Sequence, residues 1–227
     1  MRVALIGAGR IGQVHARSIA AHPESTLAAV IDPDPISAAS LAEAHGAEIL
    51  SEAACFEAPS IDSILIASPT HRHADQIEAA ARAGKAIFCE KPIDLSLSRV
   101  RKVAGVLDRH PVPFMLGFNR RFDPNFAALK AEIDAGQVGS VEMLTITSRD
   151  PGLPPRGYLE GSGGLFRDMM IHDFDMAAYL LGAAIPGVHA RGAAVIDPTL
   201  SALPDVDTAI VTLQTPSHAP VVISNSR

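Results

Sequence analysis

The first half of the chain alternates short, fully apolar runs with longer runs in which apolar residues recur at helical spacing. The apolar runs predict strands that are buried on both faces, and the longer runs, which end near glycine or proline, predict helices. Strands that alternate with helices of about 10–15 residues are typical of β-α-β units around a parallel sheet. The predicted strands are residues 3–6, 27–31, 64–67, 86–89 and 114–117, and the predicted helices are residues 11–22, 35–45, 74–83 and 97–109.

The pattern changes in the second half of the chain. The elements predicted there are a helix at residues 125–135, a strand with partial alternation at 141–149, a loop rich in proline and glycine at 150–164, a helical run within 163–182 and two hairpin-like strands at 208–213 and 221–224. Such a mixture is typical of an α+β domain. We therefore predict a doubly wound parallel α/β domain over residues 1–118 and an α+β domain with an open, mainly antiparallel sheet over residues 119–227.

Length and composition fit an ordinary globular protein. The chain has 227 residues, 48% apolar and 19% charged, which suffices for a substantial core. The net charge of −6 gives no basic footprint for nucleic acid or an anionic membrane. The N-terminal apolar run is broken at once by glycine, unlike a signal peptide, and no apolar run is long enough to predict a membrane span. Two cysteines cannot form a disulfide framework, which favours a reducing cytoplasm.

The segment GAGRIG follows the first predicted strand and opens the first predicted helix, with glycines at Gly7, Gly9 and Gly12. In that context the glycines allow a tight turn and close approach of the backbone to a pyrophosphate, which the helix N-terminus stabilises. Asp32 ends the second predicted strand, where a carboxylate accepts from ribose hydroxyls and repels a 2′-phosphate. The sequence therefore predicts a dinucleotide site that prefers NAD. The alternative is a glycine-rich turn and a helix-capping Asp.

Two further loops follow predicted strands of the same sheet. Ser68-Pro69-Thr70 and His73 come after the strand at 64–67, and the carboxyl ends of parallel strands line the ligand crevice of such sheets. We expect these residues near the cofactor, although turn and N-cap chemistry explains each of them equally well singly.

Glu90-Lys91-Pro92 follows the strand at 86–89 and ends at the same edge of the sheet. A lysine there can hold a substrate hydroxyl and stabilise negative charge on its oxygen, while proline fixes the backbone that aims it. Taken alone, a solvated loop lysine is the simpler interpretation.

The run at 163–182 places Asp168, His172, Asp175 and Tyr179 on one face if it forms a single helix. A dehydrogenase needs a base for the hydroxyl proton, and histidine suits this near neutral pH. An Asp one turn away would stabilise the imidazolium and orient its ring. A polar face turned to solvent is an equally good interpretation of the spacing alone.

Other chemistries rank lower. Cys89 lies beside Glu90 and Lys91, which favours a reactive thiol, but a cysteine at a strand end is more often simply packed. His71 and His73 lack further ligands at metal-binding spacing, so we predict no metal site.

Three longer segments occur together with these motifs: GFNRRFDPNF (117–126), SRDPGLPP (148–155) and GGLFRDMMIHDFDMAAYLLG (163–182). In this combination the chain resembles the Gfo/Idh/MocA oxidoreductase family over essentially its whole length, and most resembles the myo-inositol 2-dehydrogenase branch. The resemblance implies an NAD-binding Rossmann domain followed by a domain for substrate binding and for homo-oligomerisation, as a dimer or tetramer, through its open sheet. Family members usually run well past three hundred residues, so we expect the second domain to be incomplete at its C-terminus.

The resemblance also implies roles for individual residues. Lys91, Asp168 and His172 match the family's catalytic residues, and the Lys91–Pro92 peptide bond is expected to be cis. Asn119 and Arg121 match positions that line the polyol site, and Asp150 is a weaker candidate. The expected cofactor-binding residues are Gly7, Gly9, Arg10, Ile11, Gly12, Asp32, Ser68, Pro69, Thr70, His73, Glu90 and Lys91.

The function expected on these grounds is NAD-dependent oxidation of a cyclitol hydroxyl, with myo-inositol giving 2-keto-myo-inositol. His172 takes the hydroxyl proton, Lys91 steadies the oxygen and Asp168 tunes His172. Two alternatives stay open: another sugar or polyol oxidoreductase of the same family, and a non-catalytic dinucleotide-binding paralogue. The intact Lys91, Asp168 and His172 argue against the second, whereas the short C-terminus favours it.

Overall fold

In the computed structural model, the apolar runs of the first half lie side by side as a six-stranded parallel sheet. The structure describes residues 1–227 apart from the side chain of Ser201, and the chain forms two compact units, Met1–Gly117 and Phe118–Arg227. The strands of the first unit are β1 (Arg2–Ile6), β2 (Thr26–Ile31), β3 (Glu48–Ile49), β4 (Ser63–Ile66), β5 (Ala86–Cys89) and β6 (Phe114–Leu116). Its helices are α1 (Arg10–Ala21), α2 (Pro35–His45), α3 (Glu52–Glu57), α4 (Thr70–Arg82) and α5 (Leu97–Arg109).

The strand order of this sheet is β3-β2-β1-β4-β5-β6. The order reverses between β1 and β4, which is the switch point where doubly wound sheets bind ligands. The strands are buried because apolar clusters cover the sheet on both sides, and each fully buried Leu or Ile contributes roughly 1.5–3 kcal/mol. Leu5 and Ile64, both 0% exposed, lie at the centre of these clusters. The doubly wound fold predicted from the continuous apolar runs is confirmed.

The second unit contains a four-stranded mixed sheet in the order β7-β10-β9-β8. Its strands are β7 (Leu144–Arg149), β8 (Gly187–Ala193), β9 (Thr208–Gln214) and β10 (Val221–Ser226), and its helices are α6 (Pro124–Asp134), α7 (Arg156–Ser162), α8 (Gly164–Asp168) and α9 (Ile171–Leu181). Short 3₁₀ helices cover Asn119–Phe122 and Pro198–Ala202. Two of the three strand pairings are antiparallel, and β10 pairs with β7 in parallel.

The core of the second unit lies between one face of this sheet and helices α8 and α9. Side chains therefore alternate along β9 and β10 between buried and more exposed positions. On β9, for example, Val211 is 0% exposed whereas Ile210 is 54% exposed. The prediction of an open, mainly antiparallel sheet is confirmed.

The prediction of one continuous helix over the run at 163–182 is wrong. The run consists of α8, which ends at Asp168, and α9, which begins at Ile171. At the junction the N–H of Met170 donates to the carbonyl of Leu165, and the N–H of His172 donates to that of Met169. These bonds span five and three residues, so the regular four-residue ladder is interrupted between Asp168 and His172.

Among the described residues, no helix combines the length and the apolar character that crossing a membrane requires. The same residues contain no group of three or more His, Cys, Asp or Glu side chains arranged to hold a metal ion.

Candidate active site

The turn between β1 and α1 has no room for side chains at two of its three glycines. Gly7 has a φ of +107°, and a Cβ built on it would lie 2.5 Å from the carbonyl oxygen of Ala67. A Cβ on Gly12 would lie 1.9 Å from the carbonyl oxygen of Gly7. Both glycines are therefore required by the fold of the turn itself.

Gly9 differs from these two because open space surrounds the position of its missing Cβ. It is the N-cap of α1, and no side chain caps the helix there. The first N–H groups of a helix have no partner within the helix and attract anions. Arg10 is exposed and Ile11 half-buried beside it. This open, uncapped helix start fits the pyrophosphate of a dinucleotide.

Replacing Gly12 with Ala is expected to weaken binding of reduced NAD at least tenfold and to lower the melting temperature, because the methyl group forces the Gly7 carbonyl to move. Fluorescence titration with the reduced cofactor and thermal unfolding measure both effects. Gly105→Ala in α5 is the matched control, since its Cβ would come no closer than 3.5 Å to its nearest neighbour; it should stabilise the helix by about 0.5–1 kcal/mol. Wild-type affinity in Gly12→Ala would contradict the fit of the turn to the cofactor.

Asp32 follows β2 and holds the glycine turn in place. Its Oδ2 accepts from the N–H of Ala8 at 2.7 Å, and its Oδ1 accepts from the N–H of Asp34 at 2.8 Å. The N-cap of α2 is Asp34, whose carboxylate accepts from the N–H groups of Ile36 and Ser37, so the helix-capping interpretation of Asp32 is wrong. A carboxylate oxygen has two lone pairs, so each oxygen of Asp32 retains capacity to accept from a hydroxyl.

His73, in the first turn of α4, lies inside the fold. Its ring is 1% exposed, with Nδ1 2.7 Å from the carbonyl oxygen of Pro92 and Nε2 2.7 Å from that of Ser68. The expected contact between His73 and the cofactor is therefore not supported, because both ring nitrogens face backbone carbonyls. The hydroxyl of Ser68 donates to Gln76 at 2.6 Å. Thr70 is half-buried and Pro69 is exposed at the start of α4.

The loop after β5 contains Glu90, Lys91 and Pro92, and the Lys91–Pro92 peptide bond is cis, as expected. Oε1 of Glu90 lies 2.6 Å from Nε2 of His15 on α1. Lys91 is half-buried. Because parallel strands end at the same edge of a sheet, this loop, the glycine turn and the loop after β4 all lie at one edge of the first unit.

Cys89 is a packed residue, in line with the simpler of its two interpretations. Its side chain is 0% exposed, and burial together with the charge of Glu90 raises the pKa of the thiol. A thiol with a raised pKa supplies little thiolate at neutral pH.

In the second unit, Asp168 is the last residue of α8 and is half-buried. The hydroxyl of Tyr158 donates to its Oδ1 at 2.9 Å, and Nη1 of Arg227 lies 3.6 Å from its Oδ2. Tyr158 lies on α7, within the stretch predicted as a loop. The side chain of Arg227 is 0% exposed and also pairs with Asp205 at 2.5 Å. The carboxylate of Asp168 therefore accepts from one hydroxyl and lies near one guanidinium.

His172 lies in the first turn of α9 and is half-buried. Its ring meets the ring of Phe118 edge to face, with centroids 6.2 Å apart. An imidazole partly shielded by an aromatic ring and partly open to solvent can exchange a proton with a bound molecule.

The carboxylate next to His172 in sequence, Asp173, is a buried hydrogen-bonding centre with 0% exposure. Its Oδ1 accepts from Arg120 and, at 2.8 Å, from Ser148, and its Oδ2 accepts from Asn225 at 2.8 Å. These donors come from the 3₁₀ helix, β7 and β10. Asp173 therefore fixes the start of α9, which carries His172, to three other elements.

Replacing Asp173 with Ala is expected to lower the free energy of unfolding by about 2–4 kcal/mol, because the three donors lose a common acceptor and Arg120 loses its counter-ion. Urea denaturation followed by circular dichroism measures the change. Asp134→Ala is the matched control: its carboxylate is 60% exposed and pairs with Lys130 on the surface, so a change within about 0.5 kcal/mol is expected. Equal losses in the two variants would contradict the role of Asp173.

The three residues expected to line a polyol site, Asn119, Arg121 and Asp150, differ in whether their side chains already have partners on α9. The guanidinium of Arg121 makes two hydrogen bonds to Asp175, at 2.8 and 2.5 Å, and lies 5.2 Å from the centre of the Tyr179 ring. The hydrogen bonds to Asp175 raise the pKa of Arg121. Asp175 and Tyr179 thus hold Arg121 against α9, which limits it as a substrate ligand. Asn119 and Asp150 are exposed, so a ligand can reach their side chains from solvent.

Sequence reasoning did not identify Tyr158, Arg120 or Arg227 as residues that organise the acidic groups. The signal that could have indicated them is charge balance: Asp168, Asp173 and Asp175 crowd one short stretch, and carboxylates that lie on partly buried turns need donors nearby.

Comparison with known proteins agrees with this arrangement. The Oxidoreductase family profile GFO/IDH/MocA, described as an NAD-binding Rossmann fold, matches residues 1–118, and the GFO/IDH/MocA C-terminal domain profile matches residues 126–227. A protein named inositol 2-dehydrogenase, from Rhizobium meliloti strain 1021, is 50% identical over 100% of this chain and 69% of its own length.

Solved structures are similar over the same extent. A myo-inositol dehydrogenase from Corynebacterium glutamicum is 45% identical with a TM-score of 0.95, over 100% of this chain and 68% of its own. A scyllo-inositol dehydrogenase from Lactobacillus casei, solved with NAD(H) and scyllo-inositol bound, is 30% identical with a TM-score of 0.91. The match covers 100% of this chain and 69% of that one. The chain therefore belongs to the GFO/IDH/MocA family of oxidoreductases, with an NAD-binding Rossmann fold in its first unit and the family's C-terminal domain in its second.

Proposed function

We propose that this protein oxidises a cyclitol hydroxyl to a ketone with NAD, and that its substrate is myo-inositol and its product 2-keto-myo-inositol. The observation that carries the proposal is the 50% identity over the whole chain with the relative named inositol 2-dehydrogenase. The partly accessible His172 and the anchored Asp168 of the second unit support it, as does the uncapped glycine turn of the first.

In the proposed reaction, oxidation removes a proton from the hydroxyl oxygen and a hydride from its carbon. NAD, when bound, accepts the hydride. His172 takes the proton, Lys91 donates a hydrogen bond to the oxygen as negative charge develops on it, and Asp168 offsets the charge of the imidazolium. Tyr158 supports this role of Asp168 because its hydroxyl donates to Oδ1 and so orients the carboxylate, and the guanidinium of Arg227 lies nearby, 3.6 Å from Oδ2.

For the cofactor, we propose that the backbone of Gly7, Gly9, Arg10, Ile11 and Gly12 surrounds the pyrophosphate. Asp32 accepts from the adenosine ribose, and Ser68, Thr70 and Glu90 lie along the same edge of the sheet. Replacing Asp32 with Ser is then expected to raise the ratio of kcat/KM for NADP to that for NAD by about tenfold or more, since the charge that repels a 2′-phosphate is gone. Initial rates with both cofactors measure it, with Asp94→Ser, on the loop after β5, as a control. An unchanged ratio would contradict this role of Asp32.

A second candidate is oxidation of scyllo-inositol, which a specific observation favours. A Bacillus subtilis relative named scyllo-inositol 2-dehydrogenase (NAD(+)) is 38% identical over 100% of this chain. The two cyclitols differ only in the orientation of one hydroxyl, so discrimination depends on how polar side chains meet that hydroxyl.

The test is a substrate panel. Purified protein is mixed with NAD and, separately, with myo-inositol, scyllo-inositol or glucose, and formation of reduced cofactor is followed by absorbance. We expect the highest kcat/KM with myo-inositol. A higher value with scyllo-inositol would select the second candidate, and reduced-cofactor binding without turnover of any polyol would contradict both.

We further propose that the protein acts in the cytoplasm as a homo-oligomer that associates through the open face of the second sheet. Exposed apolar side chains on this sheet support the association, including Val188 at 66% and Ile210 at 54%. Sedimentation velocity of the wild type and of Ile210→Asp measures it. A wild-type monomer, or an oligomer that Ile210→Asp leaves intact, would contradict the proposed interface.

A further inference from the structure

Two histidines from two different helices hold the loop that carries Lys91, one on each side of the lysine. His15 on α1 contacts Glu90, the residue before Lys91, and His73 on α4 contacts Pro92, the residue after it. Both contacts lie entirely within the first unit. The proposed reaction assigns no chemical step to either histidine.

The contact of His73 is the more deeply buried of the two. The ring is 1% exposed and lies between the carbonyl oxygen of Pro92 and that of Ser68, each 2.7 Å from one ring nitrogen. A carbonyl oxygen only accepts and a neutral imidazole carries one N–H, so the tautomer with the proton on Nδ1 donates to Pro92 and the other tautomer donates to Ser68. The ring therefore lies between the loop after β5 and the loop after β4 and contacts both of them.

The contact of His15 adds a second attachment. Its Nε2 lies 2.6 Å from Oε1 of Glu90, and the two side chains are only 18% and 23% exposed. The ring of His15 packs edge to face against the ring of Phe88, with the two ring centroids 5.2 Å apart. On the other side of Glu90, a Cβ at Gly117 would lie 3.1 Å from its Oε2, so a larger residue there would require the carboxylate to shift by a few tenths of an ångström. Glu90 is therefore confined between α1 and the end of β6.

We propose that His15 and His73 are positioning residues for Lys91, a role that rests on the proposed function of Lys91. A lysine side chain has several rotatable bonds, so a fixed backbone beneath it narrows the region that its ammonium reaches. A displacement of about 1 Å at a reacting group can lower turnover by about 10²-fold. The two histidines supply that fixation from helices α1 and α4.

The test uses two amide replacements of His73 that each retain one of its bonds. The amide nitrogen of Asn occupies roughly the place of Nδ1, and that of Gln roughly the place of Nε2. Asn therefore retains the donor to Pro92, whereas Gln retains the donor to Ser68. We expect His73→Asn to retain kcat within about threefold and His73→Gln to lower kcat by about 10-fold to 100-fold, with similar affinity for reduced NAD in both. His71→Gln, exposed on the same helix, is the control.

His15 is tested in the same way. His15→Gln retains a donor for Glu90, whereas His15→Phe retains the packing against Phe88 and removes the donor. We expect the Phe variant to lose about tenfold in kcat and the Gln variant to recover most of it. Equal kcat within either pair, or losses that follow the melting temperature or the affinity for reduced NAD, would show a purely structural role and overturn the inference.

A readout that does not need turnover separates this inference from the proposed function. Brief labelling with acetic anhydride, followed by mass spectrometry, compares the acetylation of Lys91 with that of the exposed Lys102 in the same molecule. We expect the ratio to change at least twofold in His73→Gln and to stay near wild type in His73→Asn. If the wild type oxidises no polyol, the proposed function fails and the labelling ratio still decides the positioning role; an unchanged ratio in His73→Gln overturns it.

Discussion

Replacing His172 with Ala is expected to lower kcat for myo-inositol oxidation by about 10²–10⁴, because the reaction loses the group that takes the hydroxyl proton. Binding of reduced NAD should change by less than about threefold, since the glycine turn and Asp32 belong to the other unit. Initial rates with NAD and fluorescence titration with the reduced cofactor measure the two quantities.

The control for this variant is His189→Ala, which removes an exposed histidine from β8 of the same unit. It should retain wild-type kcat. Full activity in His172→Ala would contradict the assignment of the base. A loss of activity matched by the same loss in melting temperature would show instead that the ring acts through its contact with Phe118.

Replacing Lys91 with Met is expected to lower kcat by about 10²–10³. The thioether side chain is unbranched like that of lysine and close to its aliphatic part in length, but it donates no hydrogen bond to the oxygen on which negative charge develops. KM for NAD should change much less than kcat, because the interaction lost is strongest in the transition state.

Lys102→Met on α5 is the matched control, since this lysine is exposed in the same unit. Lys91→Arg adds a second comparison: its charge is retained, but the planar guanidinium presents donors at other positions, so it should restore only part of the rate. An unaltered kcat in Lys91→Met would remove Lys91 from the mechanism.

Those parts of the fold with a strong hydrophobic pattern were predictable from the sequence. Strands β1, β2, β4 and β5 are continuous apolar runs because helices cover both faces of the sheet. Strand β3 carries no such pattern: it has two residues, Glu48–Ile49, and both are exposed. A strand of that length at a sheet edge is defined by its pairing with β2 and leaves no trace in composition.

Two elements of the second unit escaped prediction for related reasons. Strand β8 reads GVHARGA, and six of its seven residues are exposed, so no alternation is visible. Helix α7 lies in a stretch whose proline and glycine content indicated a loop. Tertiary contacts determine the conformation of both segments, because such contacts override weak intrinsic helix and strand propensities.

The candidate site was predictable at the level of motifs but not of partners. The glycine turn follows from spacing, because few residues other than glycine can occupy it. The donors to Asp173 lie 53, 25 and 52 residues away in sequence, and no local pattern connects them. The break between Asp168 and His172 was equally hidden, because an apolar run at helical spacing cannot show where a hydrogen-bond ladder is interrupted.

The central claim is direct hydride transfer from a cyclitol carbon to NAD, and isotope transfer tests it most directly. The protein is incubated with NAD and myo-inositol carrying deuterium at C2, and the reduced cofactor and the ketone are quantified by mass spectrometry. We expect one deuterium in each molecule of reduced NAD and one molecule of ketone for each reduced NAD formed, with both products forming about 10²–10⁴ times more slowly in His172→Ala. Reduced NAD without deuterium, or bound cofactor with no ketone formed by the wild type, would contradict it.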